Sequence, residues 1–442
     1  MVGGGIAGLV ASILLVRRGY QVTLLEREAE LGGLLRSFRT QEGVAFDYGT
    51  HIPAETGIKP LDNILFEGFE EKDWEQFKIL KPANFFEGKL YELNQMLYAP
   101  NLPQDLFYKG VYELLHTRPF DLPVENLEVF SRKKFGDTFT EHIFKPLINK
   151  LLGVAMEDLH QDTLHLFGYE RVVIGDEFAS RELKQSEFYS SKISYSSFNE
   201  GVSRVMKYYP RHKRGVGLWM ELLEKQAQGL GVTIIKNAII SNVRLQHGDV
   251  TAICLQGGEE VATDHVIWTI SPHILTKMLY PSVRTEMPNF RFMTLHHFVI
   301  DRPFLTKNFF VYCNDWRYKS FRITLYPNIT NEEVKPPYNC TVEVLSDPVS
   351  NTDRLNSEIL DELKAMGIVN PVSEVLFRKV QTIKNGFPVY TNDFVEQLVK
   401  MNAFIRSRVD NITLVGKGSG SAFFMNDVLI EVYEELEKIT KE

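Results

Sequence analysis

The first glycines of the chain have the spacing of a phosphate-binding turn. Gly3, Gly5 and Gly8 satisfy the G-x-G-x-x-G pattern. In this pattern the first glycine allows a tight turn, the second lets a diphosphate approach the main chain, and the third brings a helix close to a sheet. Ile6 and Ala7 begin the helical stretch, whose free N–H groups would face the diphosphate. The spacing therefore indicates a diphosphate site.

An acidic residue follows in the register that a nucleotide-binding unit requires. Residues 20–25 are typical of a short buried strand, and Glu26 stands at its end with Arg27 beside it. A carboxylate at this point can accept hydrogen bonds from both ribose hydroxyls. Helix, strand and acid in this order favour a Rossmann-type unit over an isolated glycine-rich turn. The strand before the glycines is reduced to Met1 and Val2, and the sequence leaves open whether this short form is native.

A second pair of glycines comes directly after the acid. Gly32 and Gly33 precede Leu34, Arg36 and Ser37. Glycines permit close approach to the main chain, and a guanidinium group matches phosphate oxygens. We therefore expect this segment to meet the same diphosphate as the first glycines.

The two glycine motifs, followed by Phe46-Asp47-Tyr48-Gly49-Thr50-His51, resemble those of the FAD-dependent superfamily that contains amine oxidases, protoporphyrinogen oxidase, phytoene desaturase and UDP-galactopyranose mutase. The resemblance implies non-covalently bound FAD, with Gly32, Gly33, Leu34, Arg36 and Ser37 along its diphosphate and ribityl chain. The sequence of these motifs is most similar to the mutase-like branch. In that branch a histidine at the position of His51, which follows Gly49 and Thr50, lies beside the isoalloxazine. His51 is thus the candidate catalytic residue, with a purely structural histidine as the alternative.

Two later segments extend the resemblance. In the superfamily a strand near Ile240 closes over the adenine. Near the C-terminus, a strand ends at Gly416, and Asn426 and Asp427 are predicted to cap a helix that continues through Val428. A helix N-terminus aimed at a flavin stabilises negative charge on the ring. We therefore expect these residues to contact the cofactor.

The order of elements predicts an α/β fold with two interleaved domains. A discontinuous Rossmann-type FAD-binding domain is expected in residues 1–55, 205–275 and 384–442. An α+β substrate-binding domain, with a mixed antiparallel sheet and a helical cap, is expected in residues 56–204 and 276–383.

Composition narrows the functional classes. A net charge of -8 argues against nucleic-acid binding. No run of about 18 or more uncharged apolar residues occurs, so no transmembrane segment is expected. Cys254, Cys313 and Cys340 lack metal-ligand spacing, which predicts no metal site and favours a reducing, cytoplasmic location.

Three functions fit these observations. The first is an FAD-dependent oxidoreductase that takes a hydride from a small organic substrate, with Phe387, Tyr390, Phe423 and Phe424 as candidate cavity walls. The second is a mutase-like enzyme that uses reduced FAD on a sugar nucleotide, for which arginines such as those in residues 211–214 would be needed. The third is a degenerate flavin-binding protein without activity.

Lys417 departs from the superfamily pattern. Many relatives have an acid at this position, and mutase-like ones have an arginine. The departure puts oxidase-type ligand contacts at this position in doubt.

Overall fold

The structure is a computed structural model that describes residues 1–70, 72–198, 205–211, 214–283, 289–347, 352–420 and 422–440. In these residues the α-helices are α1 (Ile6–Arg17), α2 (Lys59–Phe66), α3 (Gln104–His116), α4 (Leu127–Phe135), α5 (Asp137–Phe139), α6 (Lys145–Leu152), α7 (Thr163–Phe167), α8 (Glu177–Leu183), α9 (Glu187–Ser190), α10 (Gly217–Gly229), α11 (Pro272–Leu279), α12 (Thr352–Ala365), α13 (Asn392–Arg406) and α14 (Met425–Ile439). A π-helical turn, Thr140–Phe144, joins α5 to α6.

The strands, in chain order, are β1 (Thr23–Leu25), β2 (Ser37–Arg39), β3 (Ala45–Asp47), β4 (Trp74–Phe77), β5 (Pro82–Phe86), β6 (Lys89–Tyr91), β7 (Leu97–Tyr98), β8 (Val172–Val173), β9 (Lys207–Pro210), β10 (Thr233–Ile235), β11 (Ile240–Gln246), β12 (Asp249–Leu255), β13 (Glu260–Ala262), β14 (Val266–Trp268), β15 (Phe290–Ile300), β16 (Phe310–Cys313), β17 (Arg322–Leu325), β18 (Tyr338–Ser346), β19 (Val375–Pro388) and β20 (Ile412–Leu414).

A parallel sheet carries the N-terminal glycines. β1 pairs with β10, and β14 pairs with β20, both in parallel. Val2 makes parallel bridges to Leu25 of β1 and Trp268 of β14, and so joins the two pairs. The order across the sheet is therefore β10, β1, Val2, β14 and β20. The short first strand expected from the sequence is a single bridging residue.

Helix α1 crosses this sheet and is buried along most of its length. Every residue from Ala7 to Leu15 is buried, which is more than the single apolar stripe of a surface helix. The reason is packing on several sides, because α10 and α14 both contact α1. The first turn of α1, which follows the glycines, is held in place by this core.

A second, seven-stranded sheet lies in the predicted substrate-binding part. Its strand order is β19, β15, β18, β17, β16, β5 and β6. All neighbours are antiparallel except β16 and β5, which are parallel. The predicted α/β fold with a mixed antiparallel sheet is therefore confirmed.

The helices from α3 to α7 cover part of this sheet. Their apolar side chains, including Phe135, Phe139 and Phe144, form one core with Met293 and Leu295 of β15. The helical cap expected from the sequence thus packs on the sheet through an ordinary aromatic and aliphatic core.

The division of the chain into two interleaved domains at the residues given above stays a prediction. Helix α2 was assigned to the cap, but its residues Leu61, Ile64 and Leu65 pack in the same core as α1 and α10. This core surrounds α1, the helix that follows the first glycine motif, and also includes residues of α14. Among the described helices, none combines the length and apolarity that crossing a bilayer requires.

Candidate cofactor and catalytic site

The first glycine turn leaves open space where a diphosphate would approach. Gly3 has a φ of +100°, which favours glycine. A Cβ added to Gly8 would lie 1.9 Å from the carbonyl oxygen of Gly3, so helix and turn touch closely there. A Cβ added to Gly5 would meet nothing within 4 Å. The turn at Gly3 and the close helix contact at Gly8 agree with the predicted geometry, and Gly5 lies at the open face.

No side chain caps α1 at this face. Its N-cap is Gly5, which has no side chain to satisfy the first-turn N–H groups of Ile6, Ala7 and Gly8. These donors and the positive end of the helix dipole are suited to an anion.

Glu26 connects the end of β1 to the turn. Its Oε2 accepts the main-chain N–H of Gly4 at 2.7 Å, and its Oε1 accepts that of Glu28 at 2.9 Å. A carboxylate has further lone pairs for ribose hydroxyls. Arg27, a predicted cofactor-binding residue, is exposed and pairs with Glu28 at 3.0 Å.

The second glycine pair lies against the first. The main-chain N–H of Gly32 donates to the carbonyl oxygen of Gly4 at 2.8 Å. A Cβ on Gly33 would stand 3.6 Å from the Cα of Gly5. Beyond the half-buried Leu34, the Nε of Arg36 donates to the carbonyl oxygen of Gly33 at 2.9 Å. Both predicted glycine motifs thus meet at one place.

Ser37 is occupied by protein groups rather than directed to an open face. Its hydroxyl donates to Asp47 at 2.6 Å and accepts the main-chain N–H of Gly217 at 2.7 Å. Asp47 also accepts the Tyr209 hydroxyl at 2.7 Å and the Val216 N–H at 2.8 Å. Burial raises the pKa of Asp47 to about 6, although these hydrogen bonds favour the ionised form.

The loop of Gly49, Thr50 and His51 is fixed to the second sheet. The main-chain N–H of Thr50 donates to Oε1 of Glu343 at 2.9 Å, and its hydroxyl donates to the same oxygen at 3.1 Å. Glu343 is fully buried on β18 and binds Arg322 of β17 through both oxygens, at 2.7 and 2.8 Å. The loop is therefore hydrogen-bonded to the seven-stranded sheet through Glu343.

His51 is held in its neutral form. Burial is the main cause that lowers its pKa to about 4, and the positive charges of Arg322 and Lys417 lower it further. The negative charge of Glu343 acts in the opposite direction. The Nε2 atom lies over Gly49, because a Cβ there would be 3.2 Å away. A neutral imidazole can accept a proton.

Lys417 follows the glycine that ends the C-terminal strand region. Among the described residues it has no hydrogen-bond or ion-pair partner. Solvent reaches its side chain, yet the surrounding protein lowers the pKa of its amine. Gly416 itself packs close to Ala7 and Val428, with added-Cβ distances of 3.2 and 3.4 Å. The N-termini of α1 and α14 are therefore neighbours.

The predicted cap of α14 was wrong. The helix begins at Met425 with Phe424 as N-cap, so Asn426 and Asp427 lie in its first turn. The side-chain amide of Asn426 donates instead to the carbonyl oxygen of Glu55 at 3.0 Å. The first-turn N–H groups of α14 consequently receive no side-chain cap.

Two further predictions concern Ile240 and the arginines of residues 211–214. Ile240 begins β11, shortly after Ala238, whose N–H donates to the carbonyl oxygen of Glu26 at 2.8 Å. Arg211, one of the arginines considered for a sugar nucleotide, pairs with Glu75 and Glu332. The carbonyl oxygen of Arg214 accepts from Arg39 at 3.4 Å, and residues 212 and 213 lie outside the described residues.

Three of the four aromatic wall candidates meet. Phe423 lies 5.8 Å from Phe387 and 5.7 Å from Phe424, between ring centroids. Tyr390 instead contacts Phe394 at 5.3 Å.

Glu343 is the residue of this site that the sequence analysis missed. A signal was present, because it is a lone carboxylate in the apolar run Asn339–Leu345, which forms a buried strand. A charge is rarely buried unless it is paired.

Residues 1–61 match the NAD(P)-binding Rossmann-like domain family. The chain is 28% identical over 277 residues to a 4,4'-diapolycopen-4-al dehydrogenase of Metabacillus indicus, and this match covers 59% of the chain and 53% of that protein. It is 23% identical over 427 residues to a 4,4'-diapolycopene oxygenase of Methylomonas sp, covering 84% of the chain and 81% of that protein. The chain thus spans about half the length of the first of these relatives.

The fold is similar to that of reduced UDP-galactopyranose mutase. The TM-score is 0.79 at 17% identity, over 100% of this chain and 93% of the other. Together the comparisons confirm the predicted resemblance to the FAD-dependent superfamily and the α/β fold. They also agree with FAD as the cofactor and with an enzyme.

Proposed function

We propose that this chain is an FAD-dependent oxidoreductase that oxidises a small organic substrate. The observation that carries the proposal is His51, a neutral imidazole on the loop that joins the glycine-motif half to the substrate sheet. Bound FAD supplies the acceptor for a hydride. His51 would take the proton that leaves the substrate as its C–H bond is oxidised.

The glycine motifs would hold the cofactor. The open face at Gly5 and the uncapped start of α1 fit a diphosphate. Glu26 fits the adenosine ribose, and Ile240 is proposed to meet the adenine. The uncapped start of α14, with Asn426, Asp427 and Val428, is proposed to face the flavin.

The proposal is tested on the purified protein loaded with FAD. Candidate amines, alcohols and reduced rings are added without oxygen, and loss of the visible flavin absorbance is followed. Bleaching by one substrate class, slowed at least about tenfold by His51→Gln with FAD retained, supports the proposal. A protein that takes up FAD but is bleached by none of them, and that turns over a sugar nucleotide, contradicts it.

A mutase-like reaction on a sugar nucleotide is the second candidate. It is favoured by the cationic side chain of Lys417, whose charge acts on His51 and which has no hydrogen-bond or ion-pair partner among the described residues. A lysine amine suits a diphosphate as a point charge. Turnover of a nucleotide sugar only under dithionite would support this candidate, whereas steady oxygen consumption without any sugar nucleotide would remove it.

A further inference from the structure

One carboxylate holds both the loop that carries His51 and a buried arginine. Arg322 and Glu343 are direct cross-strand partners on β17 and β18. The guanidinium binds the carboxylate in the two-point form, and its third nitrogen lies 3.3 Å from the Tyr312 hydroxyl. Two-point pairs of this kind fix geometry as well as charge.

The same carboxylate reaches the other half of the molecule. Its Oε1 accepts both the N–H and the hydroxyl of Thr50, and the Thr50 hydroxyl also bonds that of Thr324. Glu343 thus has two donors from the substrate sheet and two from the loop. All four donors come from within the protein; Oε1 accepts three of them and Oε2 accepts one.

The loop has little freedom apart from this anchor. Gly49 has a φ of +134° and is buried, and an added Cβ would lie 3.6 Å from the Glu343 carboxyl carbon. A side chain at this position would press on both His51 and Glu343. The loop and the carboxylate are therefore packed against each other as well as hydrogen-bonded.

We infer that Glu343 is a positioning residue for His51. It fixes the Gly49–His51 loop to the substrate sheet, and thereby sets where the imidazole stands relative to bound FAD and substrate. The inference rests on the proposed function, in which His51 faces the reacting groups. Glu343 acts through Thr50 and Arg322.

The test compares substitutions of two glutamates in the FAD-loaded protein, each of which accepts hydrogen bonds from main-chain N–H groups. Glu343→Gln keeps the shape but removes the charge that strengthens the bonds to Thr50. Glu362→Gln is the matched control, because Glu362 likewise accepts main-chain N–H groups, from Lys319 at 2.7 Å and Ser320 at 2.9 Å, away from His51. Hydrogen exchange at the Thr50 amide and the ¹⁵N-histidine spectrum, assigned with His51→Gln, are measured at neutral pH.

We expect Glu343→Gln to speed exchange at Thr50 at least about tenfold and to move the His51 resonances, whereas Glu362→Gln changes neither. Unchanged exchange and unchanged His51 resonances in Glu343→Gln would overturn the inference. If that variant does not fold, Arg322→Met/Glu343→Leu removes the pair without leaving a buried charge. Slow, wild-type exchange at Thr50 in this double variant would also overturn it.

These readouts separate the inference from the proposed function. Amide exchange and histidine resonances report on the loop and not on turnover, so their outcome does not depend on which substrate is oxidised. Failure of the wild-type protein to take up FAD would contradict the proposed function, while the exchange rate at Thr50 would still decide whether Glu343 anchors the loop.

Discussion

Gly32 donates its main-chain N–H to the carbonyl oxygen of Gly4 at 2.8 Å. This bond joins the two glycine motifs into one surface. A Cβ on Gly33 would lie 3.6 Å from the Cα of Gly5, whereas a Cβ on Gly5 would meet nothing within 4 Å. The two stretches of sequence that are predicted to bind a diphosphate are therefore in contact through their main chains.

Gly5 and Gly8 should respond differently to an added side chain. Gly5→Val places its side chain in open space, so we expect a folded protein that no longer retains FAD. Gly8→Ala puts a Cβ 1.9 Å from the Gly3 carbonyl oxygen and should destabilise the fold by about 1–3 kcal/mol or more. Visible absorbance and chemical unfolding measure the two effects. Full flavin content in Gly5→Val would refute the assignment of this turn.

Glu26→Gln should weaken FAD binding by about 10- to 100-fold, because hydrogen bonds to a charged acceptor contribute more than those to a neutral one. The variant also loosens the turn, since Glu26 accepts the N–H of Gly4. Glu28→Gln is the control, as Glu28 is an exposed neighbour that pairs with Arg27. Titration of apoprotein with FAD gives the affinities, and equal values for the two variants would contradict the ribose role.

Asp47 should make stability fall as the pH rises from about 4 to about 6. Burial raises the pKa of Asp47 to about 6 in the folded protein, so within this interval the carboxyl ionises in the unfolded chain before it ionises in the folded one. The free energy of unfolding therefore falls up to about pH 6 and is not lowered further by Asp47 above that pH. The total decrease in the free energy of unfolding is on the order of 3 kcal/mol.

Asp47→Asn removes this penalty, since an amide can still accept from Ser37 and Val216 while the Tyr209 hydroxyl turns to accept. The free energy of unfolding, measured by denaturant at pH 4 and pH 7, should therefore shift in favour of the variant as the pH rises. A constant difference between the two proteins would show that Asp47 does not titrate in this range.

Lys417→Met should raise the pKa of His51, because the positive charge of Lys417 lowers it. Folding should be retained, since Lys417 has no hydrogen-bond or ion-pair partner within the described residues. Histidine resonances followed against pH measure the change, and Lys400→Met, at an exposed position on α13, is the control. An unchanged His51 pKa would place Lys417 too far from the imidazole to act on it.

The sequence predicted what is local in the chain. The tasks of Gly3 and Gly8, and the place of Glu26 at the end of β1, follow from main-chain geometry over a few residues, so spacing alone is enough. The prediction that Asn426 and Asp427 cap a helix was wrong, although it rested on a similar local argument. Both residues favour caps, but the Asn426 amide is bound by the Glu55 carbonyl oxygen, and the helix begins at Met425.

The sequence by itself thus determined the cofactor class, the α/β fold and the identity of His51 as a candidate. Only the tertiary structure decided what surrounds His51. The Arg322 guanidinium meets the Glu343 carboxylate through the register of β17 with β18, and the Thr50 N–H comes from a loop 293 residues before Glu343. The pKa of His51 depends on burial and on those neighbouring charges, which have no counterpart in local spacing.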